Sequence, residues 1–229
     1  MKDSRIIGLV AIGVALLQEV SGQDFVNLNF ESSVLSTGGP PATVSAAAAF
    51  PGWNTFIGTN AQSTILYNDA TLGNSSVAIL AGGSLSPVSV YDGKFSALLV
   101  DGATGYPSLR QTGLVPANAR SLLLYANFGP VGGVSNFSVS LGGQNVQMVA
   151  LQNFVMYAYT LYGGDISSFA GQVADLGITA LNSADGGINP FALDDIQFSS
   201  SSLPAPEPGA VNLFGICILC FWRRIKRLR

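Results

Sequence analysis

The chain contains no histidine among its 229 residues, and this absence removes several kinds of catalytic site. Serine–histidine triads and zinc sites with imidazole ligands are both excluded. The two cysteines, Cys217 and Cys220, lie in an apolar stretch near the C-terminus, where we interpret them as small apolar side chains rather than as redox or metal ligands. Residues 23–203 are therefore free of cysteine, and core packing alone must stabilise them.

Charged residues are also scarce, at 10% of the chain. Residues 23–203 hold three cations, Lys94, Arg110 and Arg120, against ten carboxylates, which gives this part a net charge of −7 compared with −3 for the whole chain. Nucleic-acid binding requires a basic surface, so this balance excludes nucleic acid as a partner. No glycine-rich loop precedes a Lys-Ser or Lys-Thr pair, so the sequence gives no support for nucleotide chemistry.

The C-terminal residues 204–229 have three parts that differ in composition. A proline-rich spacer contains Pro206, Glu207 and Pro208, an apolar run of 14 residues covers positions 209–222, and a basic end begins with Arg223 and Arg224. Prolines keep the spacer extended. The apolar run partitions into lipid, while the cationic end resists translocation and stays in the cytoplasm.

This tail resembles the PEP-CTERM sorting signal of Gram-negative bacteria that make extracellular polysaccharide. The resemblance implies that an exosortase processes the tail near Pro206-Glu207-Pro208 and delivers the body to the cell surface or the extracellular matrix. The apolar run is shorter than the roughly 18 residues of a stable span, which favours a transient membrane-inserted sorting intermediate. The alternatives are a permanent tail anchor and a helix that lies on the membrane surface.

The N-terminus has the pattern of a secretory signal peptide. Lys2 and Arg5 precede an apolar run over residues 6–17, and a polar stretch with small residues follows. Val20 and Gly22 occupy the −3 and −1 positions, which predicts cleavage after residue 22. An uncleaved signal anchor is the alternative. The predicted organisation is a signal peptide over 1–22, one domain over 23–203 and the sorting signal over 204–229.

The sequence of residues 23–203 predicts many short strands separated by glycine-rich turns, and its apolar residues show no helical periodicity. Two alternating runs, 137–141 and 144–148, flank Gly142-Gly143, which predicts a two-residue β-hairpin. This pattern predicts an all-β antiparallel sandwich or barrel. Residues 34–49 are expected to form a long loop with at most one helical turn at 46–49. Further strands are predicted at 25–30, 64–67, 77–80, 88–91, 95–100, 121–126, 154–161, 173–180 and 191–198, and turns at 92–93 and 163–164.

Several short segments resemble the jelly-roll carbohydrate-binding modules of the galactose-binding-like class. They are Asn29-Phe30-Glu31, Pro51-Gly52-Trp53, Arg110-Gln111-Thr112 with the strand at 121–128, and Ala170-Gly171-Gln172 with residues 191–196. The resemblance implies a jelly-roll β-sandwich in which Glu31 belongs to the opening strand and residues 191–196 to the closing strand.

The adjacent carboxylates Asp194 and Asp195 lie in that closing strand. Strand alternation predicts that Phe191, Leu193 and Asp195 share one face, whereas Asp194 shares the other with residues 192 and 196. A carboxylate that is buried must be paired, hydrogen-bonded or metal-bound, and calcium takes oxygen ligands. The resemblance implies a structural calcium held by Glu31 with Asp194 or Asp195. The alternative is that one aspartate accepts backbone N–H groups and the other meets water.

A sugar-binding surface would need exposed aromatic rings with polar groups nearby. Tyr157 and Tyr159 share a strand face and are candidates for such a platform. We expect Trp53 to lie in the core instead.

The sequence therefore predicts a non-catalytic exported protein of the cell surface or extracellular matrix, sorted by an exosortase and associated with exopolysaccharide. A dedicated carbohydrate-binding module is the alternative. An exported glycan-active enzyme is less favoured, because adjacent aspartates on opposite strand faces cannot flank one glycosidic bond.

Overall fold

A computed structural model describes residues 22–35, 42–71, 73–82, 89–128, 136–153, 159–181 and 190–203. One short α-helix, α1 (Ala46–Ala49), and one 3₁₀ turn, Ser167–Phe169, accompany the strands. The strands are β1 (Ala42–Ser45), β2 (Asn54–Ile57), β3 (Asn60–Ala61), β4 (Thr64–Tyr67), β5 (Ser76–Ala81), β6 (Phe95–Val100), β7 (Pro107–Leu114), β8 (Ser121–Phe128), β9 (Asn136–Leu141), β10 (Gln144–Val146), β11 (Val149–Asn153), β12 (Thr160–Asp165), β13 (Val173–Leu181) and β14 (Pro190–Ser199).

These strands form two sheets, so the predicted all-β sandwich is confirmed. The larger sheet has eight strands in the order β1-β4-β5-β6-β14-β8-β12-β11, and the smaller has six in the order β10-β9-β13-β7-β2-β3. The pairing is antiparallel apart from β4 with β5, whose register matches Leu66 with Ala78. Along the chain, β6, β7, β8 and β9 alternate between the sheets, and the later strands β12, β13 and β14 return beside them.

The main core lies between the two sheets. It includes Leu122 and Leu124, alternate residues of β8 in the larger sheet, and Leu176 and Ile178 of β13 in the smaller one, and all four are fully buried. Burial of these apolar side chains is the main favourable contribution to folding, since residues 23–203 contain no cysteine.

A second apolar cluster covers the outer face of the larger sheet. It contains Leu80, Leu98, Val100 and Tyr159, all at most 1% exposed. Strands that are covered on both faces read as continuous apolar runs rather than as alternating ones. This explains why β5 and β6 are apolar along nearly their whole length.

The hairpin predicted around Gly142-Gly143 is confirmed. Both glycines have positive φ, 57° and 77°, which is the backbone conformation of a type I′ turn. Strand β10 pairs with β9 directly across the turn, with Gln144 opposite Leu141. The turn therefore fixes the register of the two strands that end the smaller sheet.

The strand predicted over 25–30 is wrong: this segment is irregular and turns sharply. Asn27 and Phe30 have positive φ, 52° and 59°, which lies outside the extended backbone conformation of a regular strand. The side-chain amide of Gln111 accepts from Val26 N at 2.6 Å and donates to Val26 O at 3.0 Å. Because a side-chain amide makes both bonds that a neighbouring peptide would make, the segment is held beside β7 without strand pairing.

The turn predicted at Gly163-Gly164 is also wrong, since both glycines lie inside β12. A Cβ at position 163 would lie 2.6 Å from a methyl carbon of Leu203, and one at position 164 would overlap Val146 and lie 2.7 Å from the sulfur of Met148. Glycine inside a strand commonly marks such a close approach. These two glycines therefore let other segments cross both faces of β12.

One loop prediction and one strand prediction are also corrected. Residues 42–45 of the loop predicted at 34–49 form β1, which pairs with β4, although the single helical turn at Ala46–Ala49 is confirmed. The strand predicted at 88–91 is wrong for its described part, since residues 89–91 are not in a strand. Trp53 lies in the core as expected, 5% exposed, and its indole N–H donates to Asn27 O at 3.0 Å.

The predicted signal peptide, apart from Gly22, and the predicted sorting signal with Pro206, Glu207, Pro208, Arg223 and Arg224 lie outside the described residues. Tyr157 does so too. In the ranges given above, no helix has the length and apolar character needed to cross a membrane.

Candidate functional site

The two adjacent aspartates of the closing strand lie at a β-bulge. Strand β14 pairs regularly with β8 as far as Asp194 opposite Tyr125, and the register then shifts before Gln197 pairs with Leu123. Asp195 sits at this shift with a φ of 46°. Residues 195 and 196 therefore oppose the single residue 124 of β8, and two residues opposite one is the defining feature of a bulge.

The bulge corrects the predicted alternation of faces. Ile196 belongs to the core between the sheets together with Phe191 and Leu193, instead of sharing a face with Asp194. Asp194 points to the other side of the sheet and is 1% exposed, while Asp195 is half-buried. The strand therefore keeps its apolar face inward on both sides of the bulge.

Hydrogen bonds from protein groups satisfy the buried carboxylate of Asp194. The hydroxyl of Ser96 donates to Oδ2 at 2.6 Å, and the backbone N–H of Asp92 donates to the same atom at 3.4 Å. The N–H of Asp195 donates to Oδ1 at 2.7 Å. Burial raises the pKa of Asp194 to about 7, since these hydrogen bonds lower it by less than the loss of water raises it.

Glu31 reaches the same segment from the opposite end of the domain sequence. Its Oε1 accepts hydrogen bonds from the backbone N–H groups of Lys94, at 2.8 Å, and Phe95, at 2.9 Å. The N–H of Ile196 donates to Leu28 O at 3.0 Å, which ties the opening segment to the bulge of the closing strand. We call Glu31, Asp194 and residues 92–96 the acidic corner.

The acidic corner brings together two of the three residues predicted to hold calcium, because Glu31 and Asp194 both bind residues 92–96. The carboxylate of Asp195 instead accepts from Nε2 of Gln197 at 2.6 Å. Within the described ranges, no three Asp, Glu, His or Cys side chains lie together as metal ligands. Both oxygens of Asp194 already accept hydrogen bonds, so the arrangement suits the alternative, in which one aspartate binds backbone N–H groups. Calcium binding stays a prediction.

The tyrosine proposed as a sugar platform in the described part of the chain, Tyr159, is 0% exposed. Its hydroxyl donates to Ser89 O at 2.9 Å, and burial raises its pKa. Tyr91 packs against it, with ring centres 5.2 Å apart, and stacks on Tyr125 at 4.0 Å. Tyr159 is therefore a core residue with no exposed face for a sugar ring.

Sequence reasoning missed Ser96, which is fully buried and makes the shortest hydrogen bond to Asp194. The available signal was a serine inside the otherwise apolar strand β6, because a buried hydroxyl needs a partner. Asp194 itself is enclosed, so it is not placed to protonate a bound substrate. The acidic corner is built to hold the opening and closing segments together.

No family model matches the chain, and no curated protein matches it. Among solved structures, the chain is similar to the enzymatically active domain of tailspike protein 4 of bacteriophage CBA120, with 12% identity and a TM-score of 0.36. The match covers 65% of this chain and 19% of that chain, so the chain spans about a fifth of the tailspike chain's length. At this TM-score the similarity does not indicate a shared activity.

Proposed function

We propose that this chain is a non-catalytic exported protein of the cell surface or extracellular matrix, sorted by an exosortase-type enzyme and associated with exopolysaccharide. The observation that carries the proposal is the order of the tail: Pro206-Glu207-Pro208, then a 14-residue apolar run interrupted by Asn212, then a basic end. Export at the N-terminus and surface sorting at the C-terminus support each other, since a surface signal is useful only to an exported protein.

The chemistry of the described residues supports a non-catalytic role. The chain has no histidine, and Asp194, the carboxyl group whose pKa is raised, is buried beside Ser96 at the bulge. Glycoside hydrolysis needs two carboxylates on opposite sides of an accessible bond. An enclosed Asp194 beside a half-buried Asp195 does not provide such a pair.

We further propose that the sandwich is a jelly roll. Three nested strand pairs support this topology, namely β6 with β14, β7 with β13 and β8 with β12. In each pair, one strand comes from the beginning and the other from the end of the segment between β6 and β14. Such folds serve many unrelated functions, so the topology supports the fold assignment and leaves the function to the sites.

Fractionation of the producing bacterium tests the sorting. The wild-type protein is expected at the cell surface or in the matrix, with a mass that shows loss of the tail beyond the proline motif. Combined Pro206→Ala, Glu207→Ala and Pro208→Ala replacement is expected to leave a full-mass protein in the membrane fraction. Pro204→Ala, in the same spacer but outside the motif, is the matched control. Intact protein dissolved in the cytosol, or unaltered processing of the triple variant, would contradict the proposal.

The second candidate function is a dedicated carbohydrate-binding module. A cleft between the two sheets, lined by aromatic and amide side chains, favours it over an enzyme.

A further inference from the structure

A cleft of about 400 Å³ lies where the two sheets separate, at the edge formed by β12 of the larger sheet and β9 and β10 of the smaller one. Three aromatic residues, Phe128, Phe137 and Tyr162, and three amide residues, Asn136, Asn145 and Gln147, line it. We call this the amide–aromatic cleft. Its volume falls within the range of small-molecule sites, about 300–1,000 Å³.

The aromatic side of the cleft is fixed by the core. Phe137 stacks on the buried Phe191 with ring centres 4.9 Å apart, and Tyr162 meets the edge of Phe137 at 5.1 Å. Phe128 also stacks on Phe191, at 5.4 Å. Phe128, Phe137 and Tyr162 are half-buried, so each presents part of its ring to the cleft while the core holds its orientation.

The amide side of the cleft consists of exposed side chains. Asn136, Asn145 and Gln147 are exposed, and their side chains form no hydrogen bond within the described part of the chain. Each amide offers donors and an acceptor, and a sugar hydroxyl likewise donates and accepts. Polar groups that the protein leaves unpaired beside an aromatic wall are available to a ligand.

None of the residues that line the cleft carries a charge at neutral pH. The phenol of Tyr162 is protonated at neutral pH and can donate, and burial raises its pKa further. A phosphate or carboxylate ligand would lose its hydration there without gaining a cation. The cleft therefore favours an uncharged ligand that is rich in hydroxyl groups.

The wall that carries Gln147 is held in place by the backbone. The segment that follows β10 crosses β12 so closely that a Cβ at Gly164 would overlap Val146 and lie 3.2 Å from Gln147 O. The type I′ turn at the other end of β10 fixes Asn145 opposite Ser140. Rigid support of this kind lowers the conformational cost of binding.

We infer that the amide–aromatic cleft binds a neutral saccharide unit, with Asn136, Asn145 and Gln147 bonding its hydroxyl groups and Tyr162 packing against its ring. The inference deepens the proposed association with exopolysaccharide by naming the site and the class of glycan. It does not depend on how the tail is processed.

Affinity electrophoresis of the detergent-solubilised full chain tests the inference. The gels contain a neutral polysaccharide, namely dextran, laminarin or galactomannan, or the anionic polysaccharide alginate. We expect at least one neutral polysaccharide to retard the protein and alginate to have no comparable effect. Asn145→Ala is expected to weaken the retardation about tenfold, since the net loss of a good hydrogen bond amounts to about 1.4 kcal/mol.

The matched control is Asn60→Ala, because Asn60 is also an exposed asparagine of an edge strand but lies at the other end of the same sheet. It should leave the retardation unchanged. Tyr162→Ala should abolish retardation, and its melting temperature shows whether the variant is folded. The inference is overturned if no neutral polysaccharide retards the protein, if alginate retards it as strongly, or if Asn145→Ala behaves like Asn60→Ala. In each case a surface location found by fractionation would leave the proposed sorting intact.

Discussion

The acidic corner and the amide–aromatic cleft are both polar regions of one sandwich, but they differ in whether their polar side chains form hydrogen bonds within the protein. In the acidic corner, Glu31 and Asp194 accept hydrogen bonds from the protein itself. In the cleft, Asn136, Asn145 and Gln147 form none with the described residues and face solvent. The corner carries the negative charge and the cleft carries none.

This difference separates a structural polar site from a binding site. Polar groups that form hydrogen bonds with one another stabilise the fold, while groups without such bonds beside a preformed apolar surface remain available to bind a ligand. Changes in the acidic corner should therefore alter stability and leave ligand affinity alone. Changes in the cleft should do the reverse.

The largest expected effect is a pH dependence that comes from Asp194. Its pKa is about 7 in the folded protein and near 3.8 when exposed, so the folded state holds the proton more tightly. The bound proton adds to the free energy of unfolding, and this contribution is fully present below about pH 4, declines as the pH rises and is lost above about pH 7. The total loss is on the order of 4 kcal/mol at most. Thermal unfolding from pH 4 to pH 8 measures it.

Asp194→Asn should flatten that decline, because an amide keeps the hydrogen-bonding shape without a titrating proton. Asp24→Asn, which changes an exposed carboxylate, should retain the wild-type slope. Equal slopes for the wild type and Asp194→Asn would show that the acidic corner does not bury an ionisable group.

The next largest effect is expected at the wall of the cleft. Gly164→Ala places a methyl group against Val146 and Met148, and overpacking of this kind costs about 1–3 kcal/mol. Denaturant unfolding measures the loss. Gly82→Ala, where a Cβ would meet nothing within 4 Å, is the control and should change stability little. An equally stable Gly164→Ala protein would mean that the segment after β10 does not cross β12 closely.

Removal of the Glu31 carboxylate should cost less. Glu31→Ala leaves the N–H groups of Lys94 and Phe95 without their acceptor, which should destabilise the protein by about 1–2 kcal/mol. Glu31→Gln retains a carbonyl oxygen and should recover most of the loss. If both variants lose the same stability, the charge of Glu31 matters rather than its hydrogen bonds.

The smallest expected effect is that of calcium. Because hydrogen bonds already satisfy Asp194, we expect calcium or EDTA to shift the melting temperature by no more than the error of the measurement. A melting temperature that rises with calcium and falls with EDTA would instead confirm the site that the sequence predicts at Glu31, Asp194 and Asp195.

Much of the sandwich could be predicted because its signals are local. The Gly142-Gly143 hairpin and the strands β4 and β13 follow from alternation and turn chemistry. The bulge at Asp195 could not be predicted, since a left-handed aspartate leaves no mark on the alternation before it. Gly163-Gly164 resembles a turn in sequence, although its glycines serve a close approach that only the folded chain reveals.

The candidate sites were harder to predict than the strands. The resemblance predicted that Glu31 and Asp194 lie near each other. It did not predict the role of Ser96 or the hydrogen bonds from residues 92–95. The cleft joins residues from five strands, including Phe128 of β8 and Tyr162 of β12, whose proximity depends on the order of strands in both sheets. No local pattern encodes that order.

The most direct test of this account measures stability and glycan retardation together for Glu31→Ala and Asn145→Ala. We expect Glu31→Ala to melt earlier and bind neutral polysaccharide as the wild type does, and Asn145→Ala to melt normally and bind more weakly. Variants that lose both properties together, or an Asn145→Ala protein that binds fully, would contradict the division between a structural corner and a binding cleft.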